Sequence, residues 1–163
     1  FDYGTGKPSP LGMCIKNGII YGDYMTSYSV MAVKKDGTIY TPAQGLMGKN
    51  LLAAGVKDTY NFGPVLIKDG EAQLPWAETE KYYPRTAVGM VKPNDYVLLV
   101  TDTGSYNGLN HWDMVDIFKS YGCTYAYNLD GGGSATLYFN GKVMNKLIGN
   151  TQRPCADFLY FTR

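Results

Sequence analysis

Charge of either sign is scarce in this 163-residue chain: 15 Lys and Arg face 14 Asp and Glu, 18% of all residues, for a formal net charge of +1. That balance excludes nucleic-acid binding through a broad basic face and argues equally against a polybasic membrane clamp. Long apolar runs are missing too. None approaches the roughly 18–20 residues that cross a bilayer as a helix, so no membrane span is expected. Histidine occurs once, at His111, with no Ser or Asp spaced around it as a triad requires. Its place near the start of a predicted helix reads as capping or surface exposure. Cysteine occurs three times, at Cys14, Cys123 and Cys155, without a CxxC or Cys/His spacing, which argues against zinc. One disulfide plus a free thiol, or three buried thiols, both remain open. The opening Phe1-Asp2-Tyr3-Gly4 carries no initiator Met, charged n-region or apolar h-region, and reads as the start of a processed, truncated or fragmentary chain.

What is present points to a β-rich globular domain. An apolar fraction of 45% with 14% aromatic residues excludes disorder, and 163 residues suffice for one domain, 1–163, with its own core. Twenty glycines imply many tight turns. Fifteen tyrosines suit either ordinary strand packing or a surface that handles sugars. Asn17-Gly18, Asp36-Gly37, Asp69-Gly70 and Asn140-Gly141 each separate short runs rich in Val, Ile, Leu, Tyr or Met. Asn-Gly and Asp-Gly supply the two positive φ angles of a type I′ turn at least cost, so four hairpins are predicted. They pair 13–16 with 19–22, 29–35 with 38–41, 65–68 with 71–74, and 135–139 with 142–145. Helices are predicted at 49–54, stopped by Gly55, and at 109–121, stopped by Gly122. The longer one lies between the strand-like runs 96–101 and 124–129, which makes a βαβ unit with parallel strands. A last strand is expected at 155–161. The fold class is therefore α+β: mostly antiparallel hairpins forming mixed sheets, with one βαβ unit and one main helix.

Ligands collect outside the carboxyl ends of parallel strands. Asp102 follows the first strand of the βαβ unit and Asp130 the second, so two carboxylates meet at one edge if the strands are neighbours. They suit acid and base, nucleophile and acid, or metal ligands; simple turn closure is the plainer alternative. After Asn128-Leu129-Asp130, the triplet Gly131-Gly132-Gly133 exceeds what a hairpin needs. Such a triplet either lets backbone N–H groups converge on a ligand oxygen, with Ser134 adding a hydroxyl, or relieves a crowded crossing. Arginine is rare: Arg85 opens the strand-like Arg85-Thr86-Ala87-Val88-Gly89, Arg153 precedes Pro154, and Arg163 ends the chain. A planar fork suits phosphate or carboxylate, with a structural salt bridge as the alternative for each. Glu78 and Glu80 read as a solvated charge run. Trp76, Tyr82 and Tyr83 suit sugar stacking or core packing equally.

At these residues the sequence resembles the phosphodiester glycosidase family. The matching stretches are Asn61-Phe62-Gly63-Pro64-Val65-Leu66-Ile67-Lys68-Asp69-Gly70, Pro84-Arg85-Thr86-Ala87-Val88-Gly89, Asn128-Leu129-Asp130-Gly131-Gly132-Gly133-Ser134-Ala135-Thr136 and Arg153-Pro154, in the family's order over nearly the whole chain. Two departures stand out. Family members usually carry Asp-Gly-Arg where this chain has Asp102-Thr103-Gly104. Phe1-Asp2-Tyr3 resembles the tail of the family's Asn-Gly-Gly-Phe-Phe stretch, so the family's N-terminal segment is expected to be missing or supplied by a peptide of the same precursor. The resemblance implies hydrolysis of a sugar joined through its anomeric carbon to a phosphodiester, in a secreted or cell-envelope protein acting on glycans. It implies Asp130 and Asp102 as catalytic carboxylates and Arg85, Asn128, Gly131, Gly132, Gly133, Ser134 and Arg153 as substrate-binding residues. A divalent cation, calcium, held by the paired Asp and the glycine loop is a further expectation. The alternative function is a glycan- or phosphate-binding module of the same fold without turnover.

Overall fold

A computed structural model describes residues 10–24, 26–73, 81–102 and 107–161. Phe1-Asp2-Tyr3, Leu74, Trp76, Glu78, Glu80, Thr103, Gly104 and Arg163 lie outside the described residues. The elements run β1 (Cys14–Lys16), β2 (Ile19–Gly22), β3 (Ser29–Lys34), β4 (Ile39–Tyr40), α1 (Gly48–Ala53), β5 (Val56–Phe62), β6 (Val65–Lys68), β7 (Glu71–Ala72), β8 (Thr86–Lys92), β9 (Asp95–Val100), α2 (His111–Ser120), β10 (Tyr125–Leu129), β11 (Tyr138–Phe139) and β12 (Lys142–Val143).

All four expected hairpins form, as β1–β2, β3–β4, β6–β7 and β11–β12. Three turn through positive φ at both central residues, as at Asn17 (50°) and Gly18 (75°). The Asp36-Gly37 turn differs. Only Gly37 has positive φ (86°), and the Asp36 carboxylate accepts the Thr38 N–H, so the loop is a type I turn closed by a left-handed glycine. Among the described residues 155–161 forms no strand. That segment lies over the sheets as a strap, pinned by a Lys16–Asp157 ion pair of 2.9 Å and by Leu159 against the core. Strand β5 was not foreseen, because Lys57, Asp58 and Thr59 obscure its apolar alternation. Thr59 is nonetheless buried, with its hydroxyl donating to the Met13 carbonyl and accepting the Ile15 N–H.

The five-stranded sheet has the order β7-β6-β10-β8-β9, and every pairing in it is antiparallel. Because β8 is antiparallel to both β9 and β10, those two run in the same direction, joined through α2. They are not neighbours, however: β8 lies between them, which corrects the expectation that they pair. Period-two alternation divides the faces of this sheet. Ala87 and Ala126 face α2, packing against Met114, Val115 and Phe118. Gly89 shares that face, where a β-carbon would come within 2.5 Å of the Phe118 ring, so glycine lets the helix approach. Val88, Met90, Tyr125 and Tyr127 face the other way, toward Met31, Ile39 and Tyr60 of the sheet β4-β3-β5. Buried hydroxyls tie the two sheets. Tyr127 accepts the Phe62 N–H at 2.8 Å and donates to the Ser29 carbonyl, and Tyr125 shares a 2.6 Å hydrogen bond with Thr41. The outer face of the smaller sheet is covered by Leu51 of α1, Ile15 of β1 and Met13 just before it, which pack with Val56 of β5.

Candidate functional site

Register sets the site. Thr86 opposes Leu129 on one side and Val100 on the other, so the next residues outward, Asp130, Arg85 and Thr101, form one row at the sheet edge, with Asp102 following. Arg85 and Thr101 lock this end of the sheet: the Arg85 N–H donates to the Thr101 hydroxyl and the Thr101 N–H to the Arg85 carbonyl, both at 2.9 Å. Asp102 and Asp130 thus share an edge as expected. With β8 between their strands, their backbones stand roughly two strand spacings, about 10 Å, apart.

Asp130 is held by its own loop. One carboxylate oxygen accepts the Gly131 N–H and the other the Ser134 hydroxyl, both at 2.9 Å. Residues Gly132–Ser134 close a 3₁₀ turn, in which the Ser134 N–H donates to the Gly131 carbonyl, while the Gly132 N–H donates to the Pro84 carbonyl. The triplet therefore does not offer a convergent nest. The amides of Gly131, Gly132 and Ser134 serve Asp130, Pro84 and Gly131 respectively, because a tight turn points them at its own chain. Crowding explains Gly131, where a β-carbon would come within 2.5 Å of the Pro84 carbonyl oxygen. Gly132 sits at φ 56°, which glycine adopts most cheaply. Gly133 is open apart from the Arg153 side chain, 3.5 Å from where its β-carbon would be, so Arg153 leans over the glycine loop from the exposed side.

The other expected residues divide. Asn128 is 1% exposed, and its Oδ1 is buried with no hydrogen-bond partner among the described residues; its amide donates to the Gly63 carbonyl at 2.8 Å just before β6. This replaces the expected substrate contact with a structural one, because β10 is covered on both faces at that point. Arg85 directs Nε to the Leu109 carbonyl at 3.1 Å and Nη2 to the Lys81 carbonyl at 2.8 Å, with its guanidinium 5.4 Å from the centre of the Tyr83 ring. Much of its fork is spent on positioning backbone. Asp102 accepts the Lys146 N–H at 2.9 Å and so fastens the chain beyond the β11–β12 hairpin to the sheet edge. Within that hairpin the Asn145 side chain accepts the Leu137 N–H and donates to the Ala135 carbonyl, continuing the brace back to the Asp130 loop. Tyr82 and Tyr83 are exposed.

His111 is neither a cap nor a surface residue. It is 6% exposed, and its Nε2 is buried with no hydrogen-bond partner among the described residues. Burial first, and the neighbouring Arg85 second, hold the imidazole's pKa down at about 4. The cap is Asn110, whose side chain accepts the Asp113 N–H while the Asp113 carboxylate accepts the Asn110 N–H. That Asn-x-x-Asp box is readable in sequence and assigns the cap to Asn110 rather than His111. No disulfide links the cysteines: Cys14 and Cys123 are buried thiols and Cys155 is exposed. Among the described residues no three His, Cys, Asp or Glu side chains gather as metal ligands, and no helix is long and apolar enough to cross a membrane.

An α+β domain thus brings Asp130, Asp102, Arg85 and Arg153 with the glycine loop to one edge of its five-stranded sheet. The phosphodiester glycosidase family model matches residues 1–162, and the chain belongs to that family. It is 31% identical over 160 residues to an uncharacterized SPbeta prophage-derived protein, YomE, of Bacillus subtilis, covering 91% of this chain and 25% of that protein. It is 28% identical over 156 residues to N-acetylglucosamine-1-phosphodiester alpha-N-acetylglucosaminidase of Mus musculus, covering 80% of this chain and 29% of the relative. The chain thus spans little more than a quarter of these relatives. Its fold matches the zebrafish N-acetylglucosamine-1-phosphodiester alpha-N-acetylglucosaminidase catalytic domain, solved auto-inhibited by its pro-peptide, with TM-score 0.74, 23% identity, and coverage of 96% of this chain and 57% of that one.

Proposed function

We propose that the protein hydrolyses the glycosidic bond of a sugar-1-phosphodiester, acting on glycans at the cell envelope or outside the cell. The observation that carries this reading is the fixed Asp130 carboxylate, aimed by the Gly131 N–H and the Ser134 hydroxyl at an edge that also carries Arg153. The Asp130 carboxylate takes a proton from water as the water oxygen bonds to the anomeric carbon, the bond from that carbon to the bridging phosphate oxygen breaks, and a phosphate monoester leaves with that oxygen. Such a leaving group needs little help from an acid, so one well-held carboxylate and a cation for the phosphate suffice. Asp130 serves as that carboxylate and Arg153 as the exposed cation, with Arg85 ordering the backbone between them. Asp102 contributes chiefly by fastening the β11–β12 hairpin over the site.

The test follows release of free sugar from a panel of sugar-1-phosphodiesters, beginning with N-acetylglucosamine-1-phosphodiesters, the class in the mouse relative's name. Asp130→Asn is expected to lower kcat by about 10²–10⁴-fold, and Asp102→Asn by less. Full activity in both variants would sink the assignment. A second reading is a binding module without turnover, favoured by the engagement of Asp102 and Arg85 in hydrogen bonds to backbone. Tight binding of a substrate that stays intact would establish it.

A further inference from the structure

A cavity among the described residues lies away from the Asp130 edge. A cleft of about 870 Å³ opens at the opposite end of the β8 and β9 strands, where Asn94 turns one into the other. Seven-residue β8 separates it from Arg85 by roughly 20 Å. Its floor is rigid. Asn94 donates to the Asp36 carbonyl and Tyr96 to the Gly37 carbonyl, which bolts the β8–β9 turn onto the β3–β4 turn. One wall is the strap 156–161.

Two kinds of side chain line this cleft. The first is aromatic: Tyr21, Phe158 and Tyr160 are 67%, 76% and 63% exposed around it, an unusual display of large rings at one place. The second is cationic. Four lysines line the cleft against two aspartates, and both aspartates are already engaged: Asp157 with Lys16 at 2.9 Å and Asp58 with Lys57 at 3.7 Å. Lys34, whose Nζ lies 5.3 Å from the centre of the Tyr40 ring, and exposed Lys35 add positive charge to the lining. Phe158 and Tyr160 meet as a tilted pair, 5.8 Å between ring centres, and exposed rings beside ammonium groups suit a ligand that carries both stackable faces and negative charges.

We propose that this cleft is a second binding site, one that holds a stretch of anionic glycan whose sugar faces stack on Phe158 and Tyr160 while its phosphate or carboxylate groups meet Lys34 and Lys35. The choice of glycan rests on the hydrolase reading of the Asp130 edge; the existence of a binding site does not. Single-stranded nucleic acid has comparable chemistry. It is disfavoured by the net charge of +1, since backbone phosphates at every nucleotide call for a more basic groove. The two sites would let the domain stay on a polymer while its edge works on a branch or end.

The experiment is calorimetric titration of the full chain with a glucosylated polyglycerol-phosphate oligomer, a neutral malto-oligosaccharide of equal length, and an oligothymidylate. The anionic glycan is expected to bind more tightly than either control. Tyr160→Ala and Lys35→Gln, both at exposed positions, should each weaken it about fivefold or more, while Asp130→Asn leaves it unchanged. Loss with Asp130→Asn alone would move the glycan to the sheet edge and overturn the proposal. So would tighter binding of oligothymidylate, absence of binding, or affinity unchanged from the parent in both cleft variants. Because the titration reads binding only, it stands apart from any failure to find turnover.

Discussion

The two ends of strands β8 and β9 solve different problems. At the Arg85 end, polar groups are fixed by backbone: Asp130 by its own loop, Asp102 by Lys146, and Arg85 by the carbonyls of Leu109 and Lys81. At the Asn94 end, rings and lysines stand out into solvent over a bolted floor. Bond-making chemistry needs a few atoms held to within fractions of an ångström, and backbone hydrogen bonds hold them that way. Gripping a polymer needs area, and exposed rings supply it. Substitutions at the first end should therefore act through geometry and change sharply, while those at the second should act through contact area and change gradually.

The sharpest expected break of that contrast, after Asp130 itself, is Gly131→Ala. Its β-carbon would sit 2.5 Å from the Pro84 carbonyl oxygen, which belongs to backbone and cannot swing aside. The loop must shift, carrying Asp130 with it, for a cost of about 3 kcal/mol in unfolding free energy and a loss of most activity. Gly141→Ala, in the turn between β11 and β12, provides the comparison. It has open space around it but a φ of 83°, so it should cost only about 1 kcal/mol and spare the site. Equal activity in Gly131→Ala and the parent would show that the loop's position is not what the chemistry depends on.

His111 gives a smaller, pH-dependent handle on the same end. Its imidazole is held neutral by burial and by Arg85, with its pKa lowered from the ordinary 6.5 to about 4. The unfolded chain therefore takes up a proton near pH 6.5 and the folded one only near 4. The stability tied to the neutral ring is complete above pH 6.5 and is lost as the pH falls from there toward 4. The loss is expected to approach about 3 kcal/mol across that window. Denaturant titrations at pH 7, 6 and 5 should show the slope, and His111→Gln should flatten it. A slope that survives the substitution would assign the titration to another group.

How far the sequence discloses each end follows from the kind of signal involved. Asn-Gly and Asp-Gly turns declare the hairpins because they answer a local φ requirement, and Gly122 declares the end of α2 for the same reason. The Asp130–Ser134 run is conspicuous because few contexts need three glycines. Local pattern does not reveal which strands lie side by side, so the insertion of β8 between β9 and β10 was invisible, and with it the separation of Asp102 from Asp130. Burial of polar residues is equally hidden: Thr59, His111 and Asn128 look like surface residues until the layers close over them. The cleft is a meeting of four hairpin turns and strand ends with the strap, and no single segment of sequence carries it.

The mildest of these predictions asks whether the two ends share one frame. Tyr127 is fully buried between the sheets, with its hydroxyl joining the Phe62 N–H to the Ser29 carbonyl. Phe62 leads into Gly63, which exchanges hydrogen bonds with Asn128 two residues before Asp130, while the other end of β5 brings Lys57 and Tyr60 to the cleft. Tyr127→Phe keeps the ring and leaves a donor and an acceptor without their partner, at an expected cost of about 2 kcal/mol. If hydrolysis and glycan binding weaken together with the fall in stability, the sheet-to-sheet seam transmits to both ends and the site depends on the cleft's scaffold. If hydrolysis falls while binding holds, the Asp130 edge draws its precision from β5 and β10 alone, and the contrast between a geometry-limited end and an area-limited one is sharper than the shared fold suggests.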